Sequence, residues 1–309
     1  MTLRASVQDY LEMRRGLGFK LCGAGPKLTD FVIFLEQKRA SHISVELALE
    51  WAQRPRSVLP TEWARRLSLV RGFARYRSAI DPQTQIPPTG LLPRRCGRAR
   101  PYFYTEQEIE RLLAATLALS PARGVQGWKY YCLFGLLIVT GLRISEALNL
   151  RLEDVDLHDG VLQIRNTKFG KSRLIPLHSS TQQALSDYLQ RRNRFLAGRS
   201  ACHVFVSRTG NRLDKGQVHR TFNVLSRQTG LRGPSASRGP RLHDFRHRFA
   251  RETLLSWYRG GHEIEPRLPL LSTYMGHVRV NDTYWYLNAC PELMGLAVKR
   301  LEAQREDAP

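Results

Sequence analysis

The segment DPQTQIPPTGLLPRRCGRARP, residues 81–101, carries five prolines, two glycines and four arginines. Proline has no amide hydrogen and glycine weakens regular structure, so neither a long helix nor a central strand can run through it. The 309-residue chain is therefore expected to fold as two bodies joined there, as a length of about 100–200 residues per domain also suggests. We expect a helical domain at residues 1–85, a Pro- and Arg-rich linker at 86–101 and a second domain at 102–309, with a tail from residue 291.

Before the linker, residues 7–17 and 28–38 carry apolar side chains at helical spacing. Ser44 can cap a helix over 45–52, and Pro60 with Thr61 opens a longer one to residue 80. Trp63, Leu67, Val70, Phe73 and Tyr76 form one stripe of that helix and read as core. The opposite face offers Arg65, Arg66, Arg71, Arg75 and Arg77, either a solvated face or one that meets a polyanion. After the linker the pattern is mixed. Thr105 caps a helix over 106–117, and a buried helix spans 128–150. Short strands at 161–165 and 173–176 flank a basic hairpin tip. Further helices are expected at 180–197, 215–229 and 243–258, with a mobile Gly/Ser/Pro/Arg loop at 231–240.

Charge narrows the partner. Lys plus Arg number 48 against 27 Asp plus Glu, a net charge of +21, with the surplus spread over both expected domains. Such a surplus points to a polyanion gripped from two sides, with nucleic acid the first choice. No run of about eighteen apolar residues exists to span a bilayer, and the N-terminus has no apolar stretch of a secretory signal. The five cysteines, Cys22, Cys96, Cys132, Cys202 and Cys290, are scattered and form no C-x-x-C. That argues against a disulfide framework or a cysteine zinc site and for a reducing cytoplasm.

Several polar residues of the second domain stand in suggestive settings. Arg143 lies in TGLRISEALNL, inside an apolar stretch where a lone charge is expensive, and Glu146 three residues on can orient it. A plain structural ion pair explains the two equally well. His243 and Arg246 in HDFRHRFA share a helix face behind a Gly/Pro loop. His277 follows in YMGH, and Tyr286 lies nine residues beyond it. Tyr284, two residues before Tyr286, points about 200° away on a helix, so only one of the two tyrosines can face a given site.

In order and spacing these boxes resemble the tyrosine recombinase family, the phage integrases and Xer-type recombinases. TGLRISEAL is similar to its first arginine box, TKFGKSRLIPL to its β-hairpin, HDFRHRFA to its H-x-x-R box and YMGH to its glycine–histidine box. The resemblance implies a catalytic set of Arg143, Lys168, His243, Arg246, His277 and Tyr286, supported by Glu146. Tyr286 would be the nucleophile and Lys168 the general acid. It also implies a mainly α fold with a small β-sheet, in which an all-helical core-binding domain precedes an α+β catalytic domain. The activity implied is site-specific cutting and rejoining of double-stranded DNA through a 3′-phosphotyrosine, by a tetramer assembled on DNA and serving a mobile element. Related recombinases are candidate partners in that tetramer, and the tail would dock on a neighbouring copy. No cofactor and no metal are expected. DNA contacts are expected from Arg65, Arg66, Arg71, Arg75, Lys171 and Arg173. A type IB topoisomerase and a catalytically idle DNA-binding regulator of the same fold are the alternatives. An RNA-binding protein lacks any recognisable RNA motif.

Overall fold

The computed structural model describes residues 2–306 except 22, 94–99, 120–124, 166–171, 278, 280 and 289–290. The chain divides into two compact units, Met1–Arg98 and Ala99–Pro309.

The first unit is a bundle of four helices, α1 (Leu3–Gly16), α2 (Ala24–Gln37), α3 (Val45–Gln53) and α4 (Pro60–Ser78). Ser44 caps α3, its Oγ accepting the Leu47 amide at 3.1 Å, and Pro60 opens α4, where a missing amide hydrogen costs nothing. Phe31, Trp51, Leu67, Val70 and Phe73 make the core.

Three arginines of α4 differ from the expected outward row. Arg66 lies over the Trp51 ring at 3.7 Å and donates to the Trp51 carbonyl at 3.2 Å. Arg77 is buried and donates to the Ser6 hydroxyl at 2.6 Å. Arg71 donates to the Pro87 and Pro88 carbonyls at 2.6 and 2.8 Å. The physical reason is chain chemistry: prolines cannot pair their backbone with a helix, but their carbonyls still accept, and an arginine fork supplies the donors. The first part of the expected linker is thus bound to the helical unit, and Leu92 joins that unit's core. Arg65 and Arg75 remain exposed.

The second unit opens with α5 (Glu106–Leu117), held by a reciprocal cap in which Thr105 Oγ1 accepts the Glu108 amide and Glu108 accepts the Thr105 amide. The long helix expected over 128–150 is instead two. Its first part, α6 (Gln126–Thr140), ends at Gly141, whose φ of 62° is left-handed, and α7 (Ile144–Asn149) starts on a new axis. A three-stranded antiparallel sheet follows, β1 (Val155–Asp156), β2 (Val161–Ile164) and β3 (Arg173–Pro176), with Leu162 opposite Ile175. The strand β1 was too short to read from its sequence.

Helices α8 (Ser179–Leu196), α9 (Lys215–Gln228) and α10 (Leu242–Arg259) complete the main core, where Phe222 meets Phe134 and Phe245 edge to face. The loop at 231–240 is tied by two arginines, Arg227 donating to Pro234 O at 3.1 Å and Arg232 to Pro240 O at 3.0 Å. The chain ends in α11 (Leu268–Met275), α12 (Asn281–Asn288) and α13 (Pro291–Glu306). In the single chain α13 sits on its own domain rather than reaching outward. Glu292 accepts from Arg251 and Arg259 of α10, and Leu293 is buried among α10 and α11 side chains.

Gly141→Ala is expected to lower the thermal midpoint. The left-handed conformation alone costs about 1–2 kcal/mol for a residue with a Cβ, and that Cβ would stand 2.6 Å from the Phe249 ring. A melting curve equal to that of the wild type would contradict this reading of the break.

Candidate active site

A helix leaves its last carbonyls unpaired and its C-terminus partly negative. At the end of α11 three such carbonyls are each taken by a different arginine. Arg173 Nε donates to Tyr274 O at 2.6 Å, Arg246 Nη2 to Met275 O, and Arg143 Nη2 to Gly276 O at 3.0 Å. Arg246 also donates to Gly141 O at 2.7 Å, where α6 breaks. Gly276 closes α11 with φ of 66°, and a Cβ there would meet Arg173 Nη1 at 2.9 Å and Arg143 Nη1 at 3.4 Å. The glycine of YMGH is thus required twice, by its backbone angle and by the approach of two guanidinium groups.

Glu146 ties two of these arginines together. Its Oε1 accepts from Arg143 Nη1 at 2.8 Å and Arg173 Nη1 at 3.2 Å; its Oε2 accepts from Arg173 Nη2 at 2.8 Å and the Arg143 amide at 3.0 Å. Burial works against the charge of this carboxylate. The hydrogen bonds and charges of Arg173 and Arg143 outweigh it and hold the carboxyl below the usual range. Arg143 therefore does not lie inside a helix as its sequence setting suggests. It stands at the N-cap of α7, where Glu146 reaches back to its amide. Its side chain keeps 27% exposure while Glu146 keeps 6%, so the arginine fork is held from behind and open in front.

Arg173, expected to contact DNA, is turned inward onto Glu146 and Tyr274 with a side-chain exposure of 9%. The reason is the register of β3, which places Arg173 opposite Ile164 and next to the end of α11.

The histidines and the tyrosine gather beside the arginines. His243 and His247 lie four apart on α10 with ring centroids 4.8 Å apart. His247 is 5.4 Å from the Tyr286 ring, and His277 stacks on Tyr286 at 6.0 Å. Tyr286 is buried, at 3% exposure, whereas Tyr284 is 44% exposed and faces out. The structure thus brings Arg143, Glu146, His243, Arg246, His277 and Tyr286 together. Lys168 and Lys171 lie outside the described residues. Two members of the cluster were not singled out beforehand. His247 was visible as the residue one helical turn after His243, and Thr283 as the residue one turn before Tyr286. Thr283 is fully buried and its Oγ1 lies 2.8 Å from His277 Nδ1.

Burial, then the charges of Arg246 and Arg143, pulls His277 down to about 4. Burial, then His243, does the same to His247. Partial burial and the Arg246 charge lower His243 as well. Arg246 is brought down to about 10 by burial and by Arg143, and stays charged at neutral pH. A phosphate entering this site would meet the partly exposed Arg143 fork and neutral imidazoles, with the charged Arg246 buried and bonded to Gly141 O and Met275 O. Among the described residues no group of His, Cys, Asp or Glu could hold a metal ion, and no helix is long and apolar enough to cross a membrane.

These histidines make stability depend on pH. An unfolded histidine has a pKa of about 6.5, while burial brings His247 and His277 down to about 4 in the fold. Between those values the unfolded chain binds more protons, so stability is expected to fall as pH falls through the window. Urea titrations at about pH 7.5, 6 and 5 check this, and equal stability at all three would contradict it.

Comparison with known proteins gives the family. The phage integrase family matches residues 103–292. The y4rB protein of Sinorhizobium fredii, whose name provisionally makes it an integrase/recombinase, is 57% identical over 99% of both chains. Tyrosine recombinase XerD of Caulobacter vibrioides is 32% identical over 77% of this chain and 73% of its own. Among solved structures, the Tn1549 transposon integrase in complex with transposon right end DNA matches with a TM-score of 0.67 at 18% identity, covering 98% of this chain and all of that one. That likeness shows the fold, mainly helical with a small sheet. With the family matching well over half of the chain and a relative this similar end to end, the protein belongs to the phage integrase family of tyrosine recombinases, enzymes of DNA strand transfer.

Proposed function

We propose that this protein is a site-specific recombinase of a mobile element that cuts and rejoins duplex DNA through a covalent 3′-phosphotyrosine at Tyr286. The observation that carries the reading is the convergence of Arg143, Arg246, His277 and Tyr286, four side chains from α7, α10, the end of α11 and α12, on one cluster.

In this reading Tyr286 Oη attacks the scissile phosphorus. The phosphorus–O5′ bond breaks, and the phosphate becomes esterified to the tyrosine. Negative charge grows on the two non-bridging oxygens, which Arg143 and Arg246 meet with planar donor forks that do not lose their proton. Each preorganised donor of this kind is worth about 3–4 kcal/mol in the transition state. Two such forks supply the charge stabilisation that a metal ion gives other nucleases. A tyrosine with an ordinary pKa of about 10 is about 0.1% ionised at pH 7, so its proton needs an acceptor. His243 takes that part, on the same helix as His247, whose ring lies 4.8 Å from His243 and 5.4 Å from Tyr286. Lys168 protonates the departing 5′ oxygen, and His277 donates to a phosphate oxygen. The ester conserves the bond energy, so religation by the reverse steps needs no nucleotide.

The partners that fit are duplex DNA and further copies of this chain, assembled as a tetramer on two duplexes in the bacterial cytoplasm. Arg65 and Arg75, both exposed on α4, are the proposed phosphate contacts of the helical unit, with Lys171 on the second.

Two outcomes follow for cleavage of a nicked DNA site. Tyr286→Phe is expected to bind DNA and form no covalent adduct, while Tyr284→Phe forms it, with or without EDTA. An adduct retained in Tyr286→Phe and lost in Tyr284→Phe would move the nucleophile; a strict magnesium requirement would remove the metal-free mechanism.

Lys168→Ala is expected to slow cleavage of ordinary DNA by about a hundredfold or more, the usual weight of a general acid. A 5′-bridging phosphorothiolate, whose leaving group needs little protonation, should restore most of that rate. Equal loss on both substrates would reduce Lys168 to a phosphate contact.

A further inference from the structure

Thr283 sits on α12 one helical turn before Tyr286, so the two share a face. It is fully buried, and its hydroxyl lies 2.8 Å from His277 Nδ1, the hydrogen bond that the described residues give it. A buried hydroxyl has one proton to place, and a buried donor left unpaired costs about 1–3 kcal/mol. Two proton arrangements are open. If Nδ1 carried the imidazole proton, it would donate to Oγ1 and the threonine proton would have no acceptor among the described residues. If the threonine donates to Nδ1, both groups are satisfied and the imidazole proton must sit on Nε2.

We propose that Thr283 is a positioning residue for strand cleavage. Its hydroxyl donates to Nδ1 of His277 and fixes the neutral tautomer that presents Nε2–H as a donor to the scissile phosphate. This rests on the reading of His277 as a phosphate donor. Because Thr283 and Tyr286 ride on the same helix, seating the nucleophile and orienting the histidine become one event. If α12 moved away, the tyrosine would leave and His277 would lose its orienting bond together. The state of the imidazole matters because it is held neutral at pH 7, with burial the main cause. A neutral ring has a single N–H, and on the wrong nitrogen it would turn a lone pair towards a phosphate oxygen.

The test compares Thr283→Val, which keeps shape and loses the hydroxyl, with Thr283→Ser, which keeps the hydroxyl. Histidine-selective 15N labelling of the full chain reads the tautomer, and single-turnover cleavage of a nicked DNA site reads the chemistry. In the wild type the His277 proton is expected on Nε2. In Thr283→Val a mixture of both tautomers should appear, with cleavage slowed by about tenfold, the weight of one orienting hydrogen bond, at unchanged DNA affinity. Thr283→Ser should restore both readings. A wild-type proton on Nδ1, a Val variant cleaving at the wild-type rate, or a Ser variant as slow as Val would each overturn the proposal. An adduct that persists in Tyr286→Phe would instead overturn the functional reading, and the tautomer measurement would stand independently of it.

Discussion

The buried carboxylate of Glu146 is the interaction on which the rest of the site depends. Two guanidinium groups at such close quarters repel each other strongly where water is scarce. One carboxylate placed between them accepts from both and removes most of that cost. With Arg143 and Arg173 held in this way, both forks still reach the end of α11, at Gly276 O and Tyr274 O. The carboxylate thus joins α7, β3 and α11, three elements far apart in the chain. Removing one partner of a buried ion pair costs about 3–5 kcal/mol because the survivor is left unpaired. Glu146, Arg143 and Arg173 are therefore one unit in energetic terms.

The same economy explains the shape of the chain around the site. Helix ends supply acceptors, and arginines consume them. Gly141 ends α6 and offers its carbonyl to Arg246, while the last turn of α11 offers three carbonyls to three arginines. The left-handed glycines at 141 and 276 make both ends possible. A protein with a net charge of +21 thus keeps several of its arginines inside, each paired, and Arg66 and Arg77 repeat the pattern in the helical unit. The outward charge available to a polyanion is smaller than the composition suggests.

Much of the fold was legible in the sequence, for local physical reasons. Helices α1 to α4 follow from apolar spacing, α5 from its Thr105–Glu108 cap, and β2 and β3 from alternation of buried and exposed side chains. The break at Gly141 was not legible. The apolar pattern runs straight across it; in the fold Gly141 caps α6 in the left-handed conformation, its amide bonded to Leu137 O, its carbonyl meeting Arg246 and Phe249 leaving no room for a Cβ. The direction of each arginine was also hidden. Arg66, Arg71 and Arg173 look solvent-facing by helical or strand period, yet a ring or a set of carbonyls elsewhere in the chain captures each one. The ordered boxes around Arg143, His243 and His277 were readable through their resemblance to the tyrosine recombinase family. Thr283 and His247 share helix faces with Tyr286 and His243, but their contacts with His277 and Tyr286 come from other parts of the chain and could not be read locally.

In the proposed function, an arginine fork held from behind, neutral histidines and the buried Tyr286 meet charge that appears only during attack on phosphorus. The central claim is that the covalent bond forms at Tyr286. The direct measurement is peptide mapping by mass spectrometry of protein trapped on a nicked DNA site and digested with nuclease. The account predicts a 3′-phosphonucleotide mass on the peptide containing Tyr286, with fragment ions assigning it to that residue. The same mass on Tyr284, or no modified peptide under conditions where the DNA is cut, would contradict it.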